Sequence, residues 1–481
     1  MVGMKAVMCQ MFLFFLCLGI YQQTNALSSY SKNDPYPVFT SLDPHLFLQR
    51  NEILKLIGER PESTEANRFG FSLSPFFQKA DYGKVPRNLG CATYDCATTG
   101  CSETGGNQCT SVCTELGDLE GRWSLIPLLF GKLPEGVSSF VPTLEVARQQ
   151  LFPNDPPGTI NYPQYIDPNK ECGFISFPGT YKKRGLRGEV DIRLIDGFGI
   201  KLQSGFADMC LTVSPKLYCD CTDTNCNCLE GLDPDKVKKY LVCKYREIAR
   251  ELCLDTDPFH ECYIEDIWAS LYWRKAYELT EHPDCPHRVL AIPFFVVGGA
   301  FAVGKRKDPC KPFSLPFGNN GHHAVGITAG LDFNFVESIE IGAEFGLTHF
   351  FSRDVNCLRV PNSIYQSGIY PFWTNATVSP GHNCHFGAKL ATYHFLGCLS
   401  VYFQYIYLSH QDDEIKLKKC DSAFTPGALK RFSSWNVQLA NAGFNYDISS
   451  NLSLGILWQI PITQCNTYKS TTVLVSLCAL F

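Results

Sequence analysis

The sequence lacks long apolar runs. Past its first 26 residues, none of the 481-residue chain reaches the roughly 18 consecutive apolar residues that a helix needs to cross a bilayer. The nearest approach, Val289 to Val303, is interrupted by Pro293 and Gly298-Gly299 and reads as a long strand. Spanning helices are excluded. A dominant charge is missing too: the net charge of −5 offers no basic patch for nucleic acid and no attraction to an anionic membrane face. Neither Gly-x-Ser-x-Gly nor His-Glu-x-x-His occurs, and His349, His394 and His410 are scattered over different segments, so the reading is non-enzymatic.

Cysteine is plentiful instead. Of the 24, Cys9 and Cys17 fall in an opening segment whose apolar run, Met11 to Ile20, follows Lys5 and exits at Thr24-Asn25-Ala26. That pattern reads as a cleaved secretory signal over residues 1–26. Outside the cytoplasm, a high cysteine count implies disulfides rather than zinc or clusters. Two classes remain, a soluble secreted protein and a membrane β-barrel, because only helices and closed barrels satisfy their backbone groups within lipid.

Strand periodicity decides between them. The hairpin Arg184 to Met209 places Leu186, Gly188, Val190, Ile192 and Leu194 on one face and Arg187, Glu189, Asp191 and Arg193 on the other, then turns at Asp196-Gly197. Its return strand sets Phe198, Ile200, Leu202 and Phe206 opposite Lys201 and Gln203. Lipid outside and water inside demand this division. Similar alternation marks Phe69 to Lys79, Glu265 to Leu279 with Arg288 to Gly304, Ala324 to Asn334 with Ile339 to Phe351, His385 to Phe395 with Cys398 to Ser409, Trp435 to Tyr446 with Leu452 to Ile462, and Thr471 to Phe481. The expected fold is an all-β antiparallel transmembrane barrel of about twelve strands. Its short turns fall on the side where Phe481 lies, and its long loops on the other.

The final strand sets Val473, Val475, Leu477, Ala479 and Phe481 on one face and Thr472, Leu474, Ser476, Cys478 and Leu480 on the other. A closing strand ending in an aromatic resembles those of bacterial outer-membrane β-barrels, porins and transport proteins among them. The resemblance implies that Phe481 is an assembly signal read by the barrel-assembly machinery. The segment Asp266 to Arg274, followed by Ala291-Ile292-Pro293-Phe294, is similar to paired strands of outer-membrane transport proteins. Cysteine-rich envelope barrels of intracellular bacteria offer an analogy of composition alone.

Within 66–481, insertions at 83–183 and 211–262 are long enough to fold by themselves, and 27–65 reads as an N-terminal arm with a short helix at Leu46 to Ile57. Helices are expected from Pro142 to Gln150 and from Asp233, an N-cap followed by Pro234, to Cys253. Trp123 to Leu129 is expected as an extra strand. Cys91, Cys96, Cys101, Cys109 and Cys113 in the first insertion, and Cys219, Cys221, Cys226, Cys228, Cys243, Cys253 and Cys262 in the second, are candidates for disulfides that tie the loops into a cap. His322-His323 and Asp412-Asp413-Glu414 read as solvated loop tips, and no metal or cofactor is assigned.

The pore-lining candidates are Arg187, Glu189, Asp191, Arg193, Lys201, Asp332, Glu340, Glu344 and Lys389. They form either a charged constriction that selects solutes or a salt-bridge lattice that fills a narrow barrel. Three functions follow: a channel for small solutes, a structural or adhesive surface protein anchored by its barrel, or a soluble secreted protein glycosylated at Asn375 and Asn451. Partners are outer-membrane lipid and small solutes, and oligomerisation is left open.

Overall fold

Alternating sequence becomes a closed wall. A computed structural model describes residues 68–86, 111–119, 123–129, 132–135, 141–154, 174–195, 197–218, 232–279, 289–335, 339–364, 366–396, 398–430, 433–449 and 451–481. The signal, the arm and its helix, and most of the candidate disulfide cysteines lie outside the described residues.

Twelve strands form the barrel. They are β1 Phe69–Ala80, β2 Gly179–Arg193, β3 Phe198–Val213, β4 Ile267–Arg274, β5 Val289–Phe301 and β6 Ala324–Phe335. The remainder are β7 Ile339–Phe350, β8 Asn383–Leu396, β9 Leu399–His410, β10 Trp435–Ser449, β11 Leu452–Cys465 and β12 Thr471–Leu480. Every neighbour is antiparallel, and β1 seals the ring by pairing with both β2 and β12. No edge is left open.

The ring is sheared. Following cross-strand partners from Tyr263 around the wall, by way of Phe76, Tyr402 and Glu340, returns to the same pass of chain at Glu278. Such a stagger tilts the strands against the barrel axis. The short strands Phe259–Ile264 and Tyr277–Glu278 continue β4 above and below, the first against β3 and the second against β5.

Pleating then sorts the side chains. Phe71, Leu202, Ile341, Ile456 and Leu477 are among the exposed apolar residues of the outer surface, while Ser72, Gln78, Thr328, Gln404, Asn441, Gln459 and Ser476 are buried within. Strands β2, β3 and β10 extend several residues beyond their expected ends, because the apolar band marks only their lipid-level portion. At the lower rim Gly197, at φ +84°, supplies the left-handed residue a tight hairpin needs, and the backbones of Phe481 and Phe69 bond mutually there.

The described parts of the longest connections lie at the opposite rim, where they build a cap. Leu116, Leu119, Leu125, Leu128, Phe177 and Leu252 from the loops share one apolar core with Phe76, Tyr181 and Met209 of the barrel wall. The cap is therefore seated in the mouth. Three small three-stranded sheets stiffen it, one of them formed by Arg353–Val360, Phe372–Ser379 and Glu414–Leu417. Helix α1, Pro142–Leu151, forms as expected, with Val141 at its N-cap.

Two local expectations fail. The single helix from Asp233 to Cys253 is two, α2 Pro234–Tyr240 and α3 Tyr245–Glu251, joined by a 3₁₀ turn at Val242–Lys244. Asp233 does cap α2 through Asp235 N–H, and Leu241 and Ile248 both reach the core despite the break. Trp123 to Leu129 is a strand only at Trp123–Ser124 and then a 3₁₀ turn at Ile126–Leu129. Pro127 within the run cannot donate to a ladder.

Candidate functional site

The inward face of the wall carries ionic groups from six strands. Period-two alternation fixes where they point, and all nine pore-lining candidates stand on the inward pleat. Glu340 and Asp332, on β7 and β6, are almost wholly shielded from solvent. Lys389 of β8 reaches both, its Nζ 2.9 Å from Asp332 and 2.8 Å from Glu340. Arg274 of β4 completes the group, 2.9 Å from the same Asp332 oxygen. Two cations thus neutralise two carboxylates out of water, which is the condition for burying any of them.

A second cluster sits beneath the cap. Glu265, between the strand Phe259–Ile264 and β4, takes Lys183 at 2.6 Å and a two-pronged contact from Arg187, with Nε at 2.8 Å and the terminal nitrogen at 3.0 Å. The Arg187 guanidinium also lies over the Phe76 ring, 4.4 Å from its centre. Lower on the same strands Lys201 meets Glu189 at 3.2 Å, and the Tyr272 hydroxyl donates to Asp191 at 2.7 Å. Glycine makes room for these contacts. A Cβ at Gly342 would collide with Asp332 and Lys389, and one at Gly205 with Glu265 and Arg187.

The interior is thus a lattice of matched charges rather than a ring of one sign. Sequence reasoning missed Lys183, Glu265, Tyr272 and Arg274, although Lys183 shares the pleat of Arg187, and Arg274 that of Tyr272. Extending the first strand of the Arg184 to Met209 hairpin by one residue recovers Lys183, and parity within the expected strand Glu265 to Leu279 recovers Arg274; Glu265 escapes, since the break after Ile264 sets it out of step with that parity.

Other assignments are corrected. His322 and Asp413 are not solvated loop residues; both are buried. Asp413 accepts from His410 Nε2 at 2.9 Å and from Gly381 N–H at 3.0 Å. His322 Nδ1 lies 3.0 Å from the Phe351 carbonyl, and burial lowers its pKa to about 4. Of the proposed disulfide cysteines, Cys113 is bonded, whereas Cys243, Cys253 and Cys262 carry free thiols. Cys262 donates to Asp208 instead, at 3.2 Å. Cys91, Cys96, Cys101, Cys109, Cys219, Cys221, Cys226 and Cys228 lie outside the described residues, as do the side chain of His394 and the turn residue Asp196.

Beneath the loop sheets lies a cavity of about 380 Å³, bordered by Trp123, Phe313, Arg306, His322, Arg353 and Tyr370. It is separate from the interior ion pairs and is lined by residues of the cap.

No family model matches the chain, and no curated protein does. Among solved structures, an outer membrane channel from Pseudomonas putida F1 is similar over 88% of this chain and 99% of its own, at 8% identity and a TM-score of 0.42. The transport unit of the autotransporter AIDA-I from Escherichia coli overlaps over 90% and 97% respectively, at 7% identity and a TM-score of 0.32. The monoaromatic hydrocarbon channel CymD overlaps over 86% and 89%, at 8% identity and a TM-score of 0.29.

Proposed function

We propose that the chain is a channel of the bacterial outer membrane for passive passage of small solutes, with a barrel narrowed by its ion-pair lattice and a mouth capped by its loops. The carrying observation is the partition of the closed wall: apolar side chains outside, and Asp332, Glu340, Arg274 and Lys389 inside. A water-soluble barrel has no use for an outer belt of Phe71, Leu202, Phe345, Ile456 and Leu477. In this reading residues 1–26 are removed on export, Phe481 is the signal for the barrel-assembly machinery, and the role is transport rather than catalysis. The Cys113 disulfide supports a covalently tied loop; the free thiols at Cys243, Cys253 and Cys262 restrict how much of the cap such bonds hold.

A second reading is favoured by one observation. The loop core is continuous with the mouth through Phe76, Tyr181 and Met209, so the cap forms a fixed surface that suits an anchored adhesive or structural protein. Single-channel recording in planar bilayers separates the two. Steady openings whose ion selectivity changes in Arg193→Ala support the channel, and a silent barrel that binds cells or matrix supports the anchor.

A further inference from the structure

We propose that the cavity in the cap is a binding site for a small aromatic carboxylate that also bears a hydroxyl group. Two polar atoms carry the assignment. Arg353 Nε and His322 Nε2 are both buried and without a hydrogen-bond partner, and both residues border the cavity. Buried polar groups are almost always matched, so an unpaired donor and an unpaired acceptor at one cavity point to a ligand that matches both.

Their chemistry specifies what each would take. Arg353 spends one terminal nitrogen on the Asn320 carbonyl, at 3.2 Å, and keeps its Nε–H for an acceptor. Arg306 and Arg359 border the same space, Arg359 donating to the Leu252 and Cys253 carbonyls, and guanidinium groups gathered at one cavity favour an anion of planar, two-oxygen geometry. Of the two acids on this border, Asp354 is neutralised by Lys418 at 2.8 Å and bonded by the Thr377 hydroxyl, while Asp308 accepts from Cys310 N–H, so the arginines outnumber the acids left uncompensated. His322 must place its proton on Nδ1 to donate to the Phe351 carbonyl, which leaves Nε2 as a bare acceptor. A ligand hydroxyl answers it.

The remaining wall selects the body of the ligand. Trp123 and Phe313 stack with ring centres 5.8 Å apart and planes within 7°, and Tyr370 adds a further ring. A flat apolar group suits this wall, and about 380 Å³ sits at the small end of the range for ligand pockets. An aromatic ring with a carboxylate at one end and a hydroxyl at the other satisfies all three elements.

The test is isothermal titration of the full chain in detergent micelles with 4-hydroxybenzoate, benzoate, 4-methoxybenzoate, phenol and inorganic phosphate. One 4-hydroxybenzoate should bind per chain, about tenfold or more tighter than benzoate or 4-methoxybenzoate, since neither of those can donate to His322. Arg353→Gln should weaken both benzoates about tenfold or more, while His322→Phe should abolish the preference for the hydroxyl. The comparison among probes needs no variant, so a variant that fails to fold does not decide the matter. Absence of carboxylate binding at millimolar concentration overturns the site, as does unchanged affinity in folded Arg353→Gln. Tighter binding of phosphate or phenol overturns the ligand class. Binding in micelles does not depend on conduction, so either result leaves the channel reading to be judged separately.

Discussion

Lys389 and Glu340 meet at 2.8 Å across adjacent strands, with no part of the Glu340 side chain open to solvent. Arg274 stands 4.0 Å from the same carboxylate, so Lys389 makes the closer of the two contacts. Replacing Lys389 by Met leaves Glu340 and Asp332 to share one guanidinium. Breaking a buried pair from one side costs about 3–5 kcal/mol, whereas removing both partners costs much less. Lys389→Met should therefore lower the denaturant midpoint in micelles sharply, and Lys389→Met with Glu340→Gln should recover most of it. Equal losses in the single and double variants would show that the charges are not paired in the folded barrel.

That cluster also shows what the sequence discloses. Inward placement of Lys389, Asp332 and Glu340 follows from strand parity, which needs only the residues of each strand. Their meeting does not, because the pairing of β6, β7 and β8 carries them to one level and the shear of the ring brings Arg274 of β4 beside them. Strand count and the sorting of loops by length were legible for the same local reason. The cap was not. Its small sheets join segments as distant as Gly83–Pro86 and Thr467–Tyr468, and no periodicity within either announces the other.

Aromatic residues of the wall stand directly opposite glycines on neighbouring strands: Phe76 over Gly185, Tyr272 over Gly199, Phe294 over Gly330 and Tyr402 over Gly443. At each glycine an added Cβ would collide with the facing ring, so the ring covers the backbone that the glycine exposes. Gly443→Val should displace Tyr402 and cost about 1–3 kcal/mol through overpacking. Thermal unfolding in micelles reads the loss, and Tyr402→Ala in the same background should abolish most of the additional penalty.

The outward belt predicts an asymmetry between adjacent residues. Ile456 faces out and Gly455 faces in on β11. An arginine on the lipid side near the bilayer midplane costs about 2–4 kcal/mol. Ile456→Arg should therefore reduce the folded band on unboiled gels, whereas the inward change Ser476→Ala on the adjoining strand should leave it nearly intact. Equal behaviour of the two would remove the lipid belt as the reason for the exposed apolar face.

His322 makes the cap sensitive to acid, with a sign that follows from its burial. Its pKa in the folded chain is lowered to about 4 by desolvation, and the neighbouring Arg353 and Arg306 push the same way, while Asp413 opposes them. In the unfolded chain the value is about 6.5. Between these limits the unfolded state binds the extra proton, so stability is complete above about pH 6.5 and falls as pH drops towards 4, by up to about 3 kcal/mol. Asp266 runs the other way, because burial raises its carboxyl and favours the protonated folded form as pH falls. The informative quantity is thus the difference between the parent chain and His322→Gln, measured as protease resistance of the loops at successive pH values. The parent should lose resistance between pH 6.5 and 4 more steeply than the variant. Parallel curves would mean that His322 already carries its proton in the folded cap, and burial would then not be what sets its charge.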